Sequence, residues 1–121
     1  MAGAGQALVD PDQLRTALDN LARNAIDATP AGGRVRIAAR SDAKEHAIDV
    51  SDTGAGIAPE DLPRIFDLYF TTKPEGTGIG LAVTQQIISA HGGTIEVDSS
   101  AGAGTRMTIR LPRTAGEALG V

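Results

Sequence analysis

Residues 34–52 carry two period-two segments almost back to back. "RVRIAAR" sets Val35, Ile37 and Ala39 on one face and Arg34, Arg36 and Arg40 on the other. "HAIDVSD" turns Ile48 and Val50 the same way, toward a core. Two more such segments close the chain. "GTIEVDSS" points Ile95 and Val97 inward, and "GTRMTIRLP" does so with Met107, Ile109 and Leu111. The glycine-rich junction "SSAGAGT" joins these last two as a hairpin. The remaining periodic segments are helical. "DPDQLRTALDNLARNAIDATPAGG" opens with Asp10 as N-cap, Pro11 at the first helical position and Gln13 completing a box-like start. Leu14, Leu18, Leu21, Ala25 and Ala28 form its apolar stripe, and Pro30, Gly32 and Gly33 stop it. "PEDLPRIF" predicts a short helix from Pro59 to about Asp67, and a second long helix is expected from about Thr77 to His91.

The order is therefore helix, two strands, short helix, helix, two strands. It does not alternate as βαβ units do, so a doubly wound parallel sheet is disfavoured. The expectation is an α+β fold: a two-layer sandwich whose mixed, mostly antiparallel sheet has helices on one face and water on the other. The outward positions agree. Arg34, Arg36, Arg40, Arg106 and Arg110 would meet Asp49, Glu96 and Asp98 on neighbouring strands. A chain of 121 residues suits one domain, here spanning 10–112 between an N-terminal extension (1–9) and a C-terminal tail (113–121). Aromatic residues make up only 2%, so the core must be aliphatic. The net charge of -4 argues against a nucleic-acid partner, and the lack of cysteine excludes disulfides and thiolate metal sites. No apolar run approaches bilayer length, and "MAGAGQALVD" lacks the features of a signal peptide, so a cytoplasmic setting is expected.

Four features could carry chemistry. Asn20, Asn24 and Asp27 share one face of the first helix. Asparagine disfavours helix interiors, so the pair is either a polar ridge ligating a hard cation such as Mg²⁺ or two residues on a wet face. Asp52 falls on the core side of its strand, where a carboxylate needs a partner. It is either an acceptor for a ligand amine, with Gly54 and Gly56 letting that ligand approach, or a turn cap. "TTKPEGTGIGLAV" places Gly76, Gly78 and Gly80 at a helix start, with Lys73 just upstream. Bare amides there attract anions, although the spacing is neither a P-loop nor the dinucleotide fingerprint, and a plain glycine-rich turn is the other reading. Thr105 could serve a ligand or pair across strands.

Together these features resemble a known family. "NLARNA" resembles the N box, "DTGAGI" the G1 box, "IFDLYFTTK" the F box and "GTGIGLAV" the G2 box of histidine-kinase catalytic domains. The resemblance covers about Asp10 to Pro112 and extends to the superfamily shared with gyrase, the MutL repair ATPase and a heat-shock chaperone. It implies ATP bound between helices and sheet beneath a lid, the Bergerat fold. By that resemblance Asn24 would hold Mg²⁺, with Asn20 one turn earlier, and Asp52 would accept the adenine amine. Ile57, Ile65 and Leu81 would wall the base. Gly76, Thr77, Gly78, Ile79 and Gly80 would shape the lid end and cradle phosphates, Lys73 would reach the γ-phosphate, and Thr105 would support the base through water. Phe66 and Phe70 fit the F box.

Two departures stand out. Only "PE" separates "FTTK" from "GTGIG", which implies a short lid. Asp27 stands where many relatives carry a basic residue, leaving Lys73 and Arg23 to supply positive charge and Asp27 to act on the metal's water shell. The resemblance implies a two-component kinase that passes its γ-phosphoryl group to a histidine on a separate helical dimerisation domain, then to a response regulator. Neither His46 nor His91 looks like that acceptor, so a monomeric catalytic domain with little turnover of its own is expected. The alternatives are a free-standing serine kinase and anti-sigma factor of the same superfamily, and a non-enzymatic interaction module.

Overall fold

A computed structural model describes residues 10–67 and 80–112. Helix α1 spans Pro11–Ala28, followed by strands β1 (Val35–Ser41) and β2 (Glu45–Asp52). A single 3-10 turn, Leu62–Arg64, precedes helix α2 (Gly80–Ala90), and strands β3 (Thr94–Ser99) and β4 (Thr105–Pro112) follow. The N-cap and the proline of α1 are as read from the sequence, but Asp10 N–H is taken by His91 Nε2 and not by the Gln13 side chain that a capping box would use. Asp10 Oδ1 accepts the N–H groups of Asp12 (3.0 Å) and Gln13 (3.2 Å), and Pro11 occupies the first turn.

The four strands lie in the order β1-β2-β4-β3, and each pairing among them is antiparallel. The chain leaves β2, passes through α2, and returns as β3 on the far edge, so that β4 is inserted beside β2. This crossover brings the ends of β2, β3 and β4 near Asp52, Ser99 and Thr105 together.

Leu21 (2% exposed), Ile88 (1%) and Ile109 (0%) join α1, α2 and β4 at the centre of the core. Full burial of such side chains stabilises by about 2 kcal/mol each. The stripe of α1 differs from the expected one: Ala17 is buried, whereas Ala28 is exposed at the helix end. The inward face of β1 also departs from expectation. It is an edge strand, and only Val35 packs on the core, while Ile37 stays 57% exposed and Ala39 is exposed too. The short helix expected from Pro59 shrinks to one turn. Pro63 has no N–H to bond to the carbonyl four residues back, and Arg64 and Asp67 instead bond three residues back, to Asp61 and Arg64. For α2 the described helix begins at Gly80; Thr77 lies outside the described residues.

The opposite sheet face carries the expected cross-strand charge pairs. Arg40 pairs with Asp49, Arg106 with Asp98 (3.2 Å), and Arg110 with both Glu96 (2.8 Å) and Glu45. The two carboxylates hold the Arg110 guanidinium's pKa above its ordinary value, Glu96 contributing most.

Candidate functional site

At the ends of β2 and β4, Asp52 and Thr105 are register partners, so their side chains stand together on the core face of the sheet. Both are half-buried. Asp52 Oδ1 accepts the Gly54 N–H at 2.9 Å, a short turn of the kind the sequence left open. One bond does not exhaust a carboxylate, which has acceptor capacity to spare.

The loop after Asp52 is held tightly. A Cβ added to Gly54 would lie 2.1 Å from the carbonyl oxygen of Ala28, at the end of α1. Gly56 has φ +75°, and a Cβ there would lie 2.0 Å from the Ser100 carbonyl oxygen in the β3–β4 turn. Both glycines do permit close approach, but the backbone that approaches them is the chain's own. Gly104, also at positive φ (+84°), has Asp52 O in the same relation at 2.2 Å. These three contacts clamp the loop between α1 and the hairpin.

Ser99 completes the clamp and was not singled out from the sequence. Its Oγ accepts the Ile57 N–H at 2.8 Å, donates to Gly104 O at 3.1 Å and lies 2.8 Å from Thr105 Oγ1. The available signal was register: in a hairpin closed by "SAGAG", Ser99 faces Thr105. Thr105 thus does pair across strands, one of its two readings. A shallow groove at this end is lined by Ser51, Asp52, Asp98, Ser99, Thr105 and Arg106 among others.

The apolar residues proposed as base walls belong to the core cluster or pack on it. Ile65 is buried in the core cluster at 6% exposure, and Ile57, Leu81 and Phe66 pack on it half-buried. Asn20 and Asn24 are half-buried on α1, whereas Asp27 and Arg23 are exposed. Asn20 Nδ2 donates to Gly80 O at 3.3 Å, so this amide ties α1 to the first residue of α2. Gly80 O also accepts the hydroxyl of buried Thr84 at 2.9 Å. The sequence-proposed residues Lys73, Gly76, Thr77, Gly78 and Ile79, with Phe70, lie outside the described residues.

No three His, Cys, Asp or Glu side chains converge as a cation cage among the described residues. Mg²⁺ does not require such a cage, because it keeps most of its waters and takes only one or two protein oxygens. Both histidines are engaged. Asp10 N–H donates to His91 Nε2 (2.9 Å), whose Nδ1 meets Ile87 O (2.7 Å), and His46 Nδ1 meets Ser41 Oγ (2.8 Å). No helix among the described residues is long and apolar enough to cross a membrane.

Residues 9–115 match the family described as histidine kinase-, DNA gyrase B-, and HSP90-like ATPase. The sensor histidine kinase ZraS of Escherichia coli O157:H7 is 48% identical over 103 residues, covering 85% of this chain. The chain spans only 22% of that relative's length. Among solved structures, a mycobacterial sensor histidine kinase, MprB, superposes with a TM-score of 0.81 at 31% identity, covering 88% of this chain and 76% of that one. Full-length ShkA, solved in complex with AMPPNP, gives 0.78 at 33% identity, covering 93% of this chain and 24% of that one. The chain is thus homologous to the catalytic ATP-binding domains of sensor histidine kinases.

Proposed function

This chain belongs to the histidine kinase-, DNA gyrase B-, and HSP90-like ATPases, and we propose that it binds Mg·ATP as the catalytic domain of a two-component sensor kinase. The observation that carries this reading is the register pairing of half-buried Asp52 and Thr105 on the core face of the sheet, whose core cluster includes Ile65 and is covered by Ile57 and Leu81. It offers a carboxylate and a hydroxyl at the margin of an apolar core, the composition a purine with an exocyclic amine requires.

The nucleotide would supply the γ-phosphoryl group. Asp52 accepts the base amine with the oxygen not bonded to Gly54, and Thr105 supports the base. Ile57, Ile65 and Leu81 exclude water from the ring. Asn24 gives its amide oxygen to Mg²⁺, while Asn20 keeps the start of α2 in place through Gly80. Gly76, Thr77, Gly78, Ile79 and Gly80 offer backbone amides to the phosphates, and Lys73 neutralises the terminal one. Asp27, exposed on the same helix, acts through the metal's water shell. Catalysis on this account is positioning and charge neutralisation.

The acceptor is a histidine on a separate helical dimerisation domain, and a response regulator takes the phosphoryl group next. Residues 10–112 form the working unit, in the cytoplasm, and are monomeric in isolation. The test is to mix the chain with labelled ATP, Mg²⁺ and a dimerisation domain from a related kinase. Acid-labile label on the histidine is expected, and acid-stable label on serine would favour the serine-kinase alternative instead.

A further inference from the structure

The start of α1 is held by a titratable group on another helix. Asp10 caps α1 with its carboxylate, but its own N–H donates to His91 Nε2 at 2.9 Å, 81 positions away. His91 Nδ1 lies 2.7 Å from the carbonyl oxygen of Ile87, in the last turn of α2. Each of these partners has a single role: a backbone N–H only donates and a carbonyl oxygen only accepts. Nε2 is therefore bare and Nδ1 carries the hydrogen, so the bonded ring is a neutral imidazole. The ring is half-buried and stands on a fixed anchor. Gly93 N–H closes the end of α2 on Ile88 O at 2.9 Å, and Gly93 abuts the Arg110 carbonyl of β4. On the other side, the family match begins at residue 9, so Asp10 stands where the chain enters the domain.

We propose that His91 is a pH-dependent clasp: its neutral ring pins the entry of α1 to the end of α2, and a proton taken from solvent at Nε2 releases it. Protonated, Nε2 becomes a donor facing the Asp10 N–H, another donor, and the bond is lost. The surroundings let this happen. Among the described residues, α1 brings the carboxylates of Asp10 and Asp12 to this end, and the last turn of α2 has no basic side chain. The Arg110 guanidinium of β4 is held on the opposite sheet face by Glu96 and Glu45, and β3 begins with the uncharged Thr94. The imidazolium thus meets the carbonyls at the end of α2 and the Asp10 carboxylate, and no described cation opposes it. The ring exchanges the Asp10 main chain for the Asp10 side chain, and the N–H that it held returns to water. The clasp is closed above the imidazole's titration and opens as pH falls through it. The device is independent of what the domain binds.

The test is nuclear magnetic resonance of the nitrogen-15-labelled full chain, titrated from about pH 8 to about pH 5. At the upper end, a scalar coupling between the Asp10 amide nitrogen and His91 Nε2 is expected across the hydrogen bond, with ring nitrogen shifts of the Nδ1–H tautomer. At the lower end the coupling is gone, and the exchange protection of the Asp10 amide is about fivefold lower or less still. The Asp10 amide and the His91 ring should report one shared midpoint. Asp10→Asn keeps a capping oxygen and the main-chain N–H but removes the carboxylate, so the transition should persist in it. His91→Gln cannot take up the proton, so the transition should vanish. Should His91→Gln not fold, Asp10→Asn and the ring signals of the unmodified chain carry the test. Absence of the coupling near the upper end would overturn the proposal, as would an Asp10 amide that does not follow the ring. A transition that survives in folded His91→Gln, or disappears in Asp10→Asn, would assign the response to another group and overturn it too.

Discussion

Asn20 of α1 donates from Nδ2 to the carbonyl oxygen of Gly80, the first described residue of α2, at 3.3 Å. The amide is half-buried, so its loss removes one side-chain donor from that carbonyl and leaves the amide's own place in the packing of α1 on α2 empty. Asn20→Ala is expected to cost about 1 kcal/mol in urea denaturation. Asn20→Asp keeps the shape but sets an acceptor against an acceptor, so it should cost more than the alanine at neutral pH. Equal stability of all three proteins would show that the contact carries nothing.

Asp52→Asn keeps an oxygen for the Gly54 N–H but replaces the free carboxylate oxygen with either a neutral acceptor or a donor. The melting temperature should stay close to that of the unmodified chain. Affinity for a non-hydrolysable ATP analogue should drop by about tenfold or more. Unchanged affinity by calorimetry would sink the assignment of Asp52 to the base.

Gly56 and Gly102 separate two causes of glycine dependence. Both have positive φ, +75° and +80°. A Cβ on Gly102 meets nothing within 4 Å, whereas one on Gly56 lies 2.0 Å from Ser100 O. Gly102→Ala is therefore expected to cost about 1 kcal/mol from backbone strain alone. Gly56→Ala must also push the loop off the hairpin, so it should cost more and weaken nucleotide binding. Chemical denaturation of the two variants, side by side, decides it.

Asp49 gives the protein an acid-sensitive contribution to stability. The Thr108 hydroxyl, bonded at 2.6 Å, holds its carboxyl below the ordinary range, with Arg40 assisting against the opposing effect of burial. The folded state thus binds this proton less readily than the unfolded one. The stabilisation is full above the unfolded value of about 3.9 and is lost as pH falls through the lower folded value. Asp49→Asn should be less stable than the unmodified chain near pH 7. The gap should narrow in urea midpoints as pH falls below the unfolded value, and a gap constant with pH would contradict the account.

How far the sequence could be read depends on the range of the interactions. The start of α1 was legible because its cap is made within three residues, by Asp10. The inward side of Asp52 followed from a period of two, and the charge pairs on the wet face followed from the same counting. Ser99 was legible only as the register partner of Thr105, and its bond to Ile57, 42 positions away, was not. The reason that Gly54 and Gly56 must be glycine was hidden in the same way, in the approach of Ala28 and Ser100. Asn20 looked like a metal-site residue because helix periodicity sets it on one face with Asn24, but only the packing of α1 on α2 reveals its bond to Gly80. Ile37 alternates like a core residue, yet an edge strand receives little cover, and periodicity carries no information about which strand is at the edge.

The measurement that bears most directly on the central claim is calorimetric titration of the purified chain with a non-hydrolysable ATP analogue, with and without Mg²⁺. The account expects saturable one-to-one binding, strengthened by the metal in the unmodified chain and no longer strengthened in Asn24→Ala. A folded chain that shows no heat of binding in either condition would contradict it and turn the reading toward an interaction module.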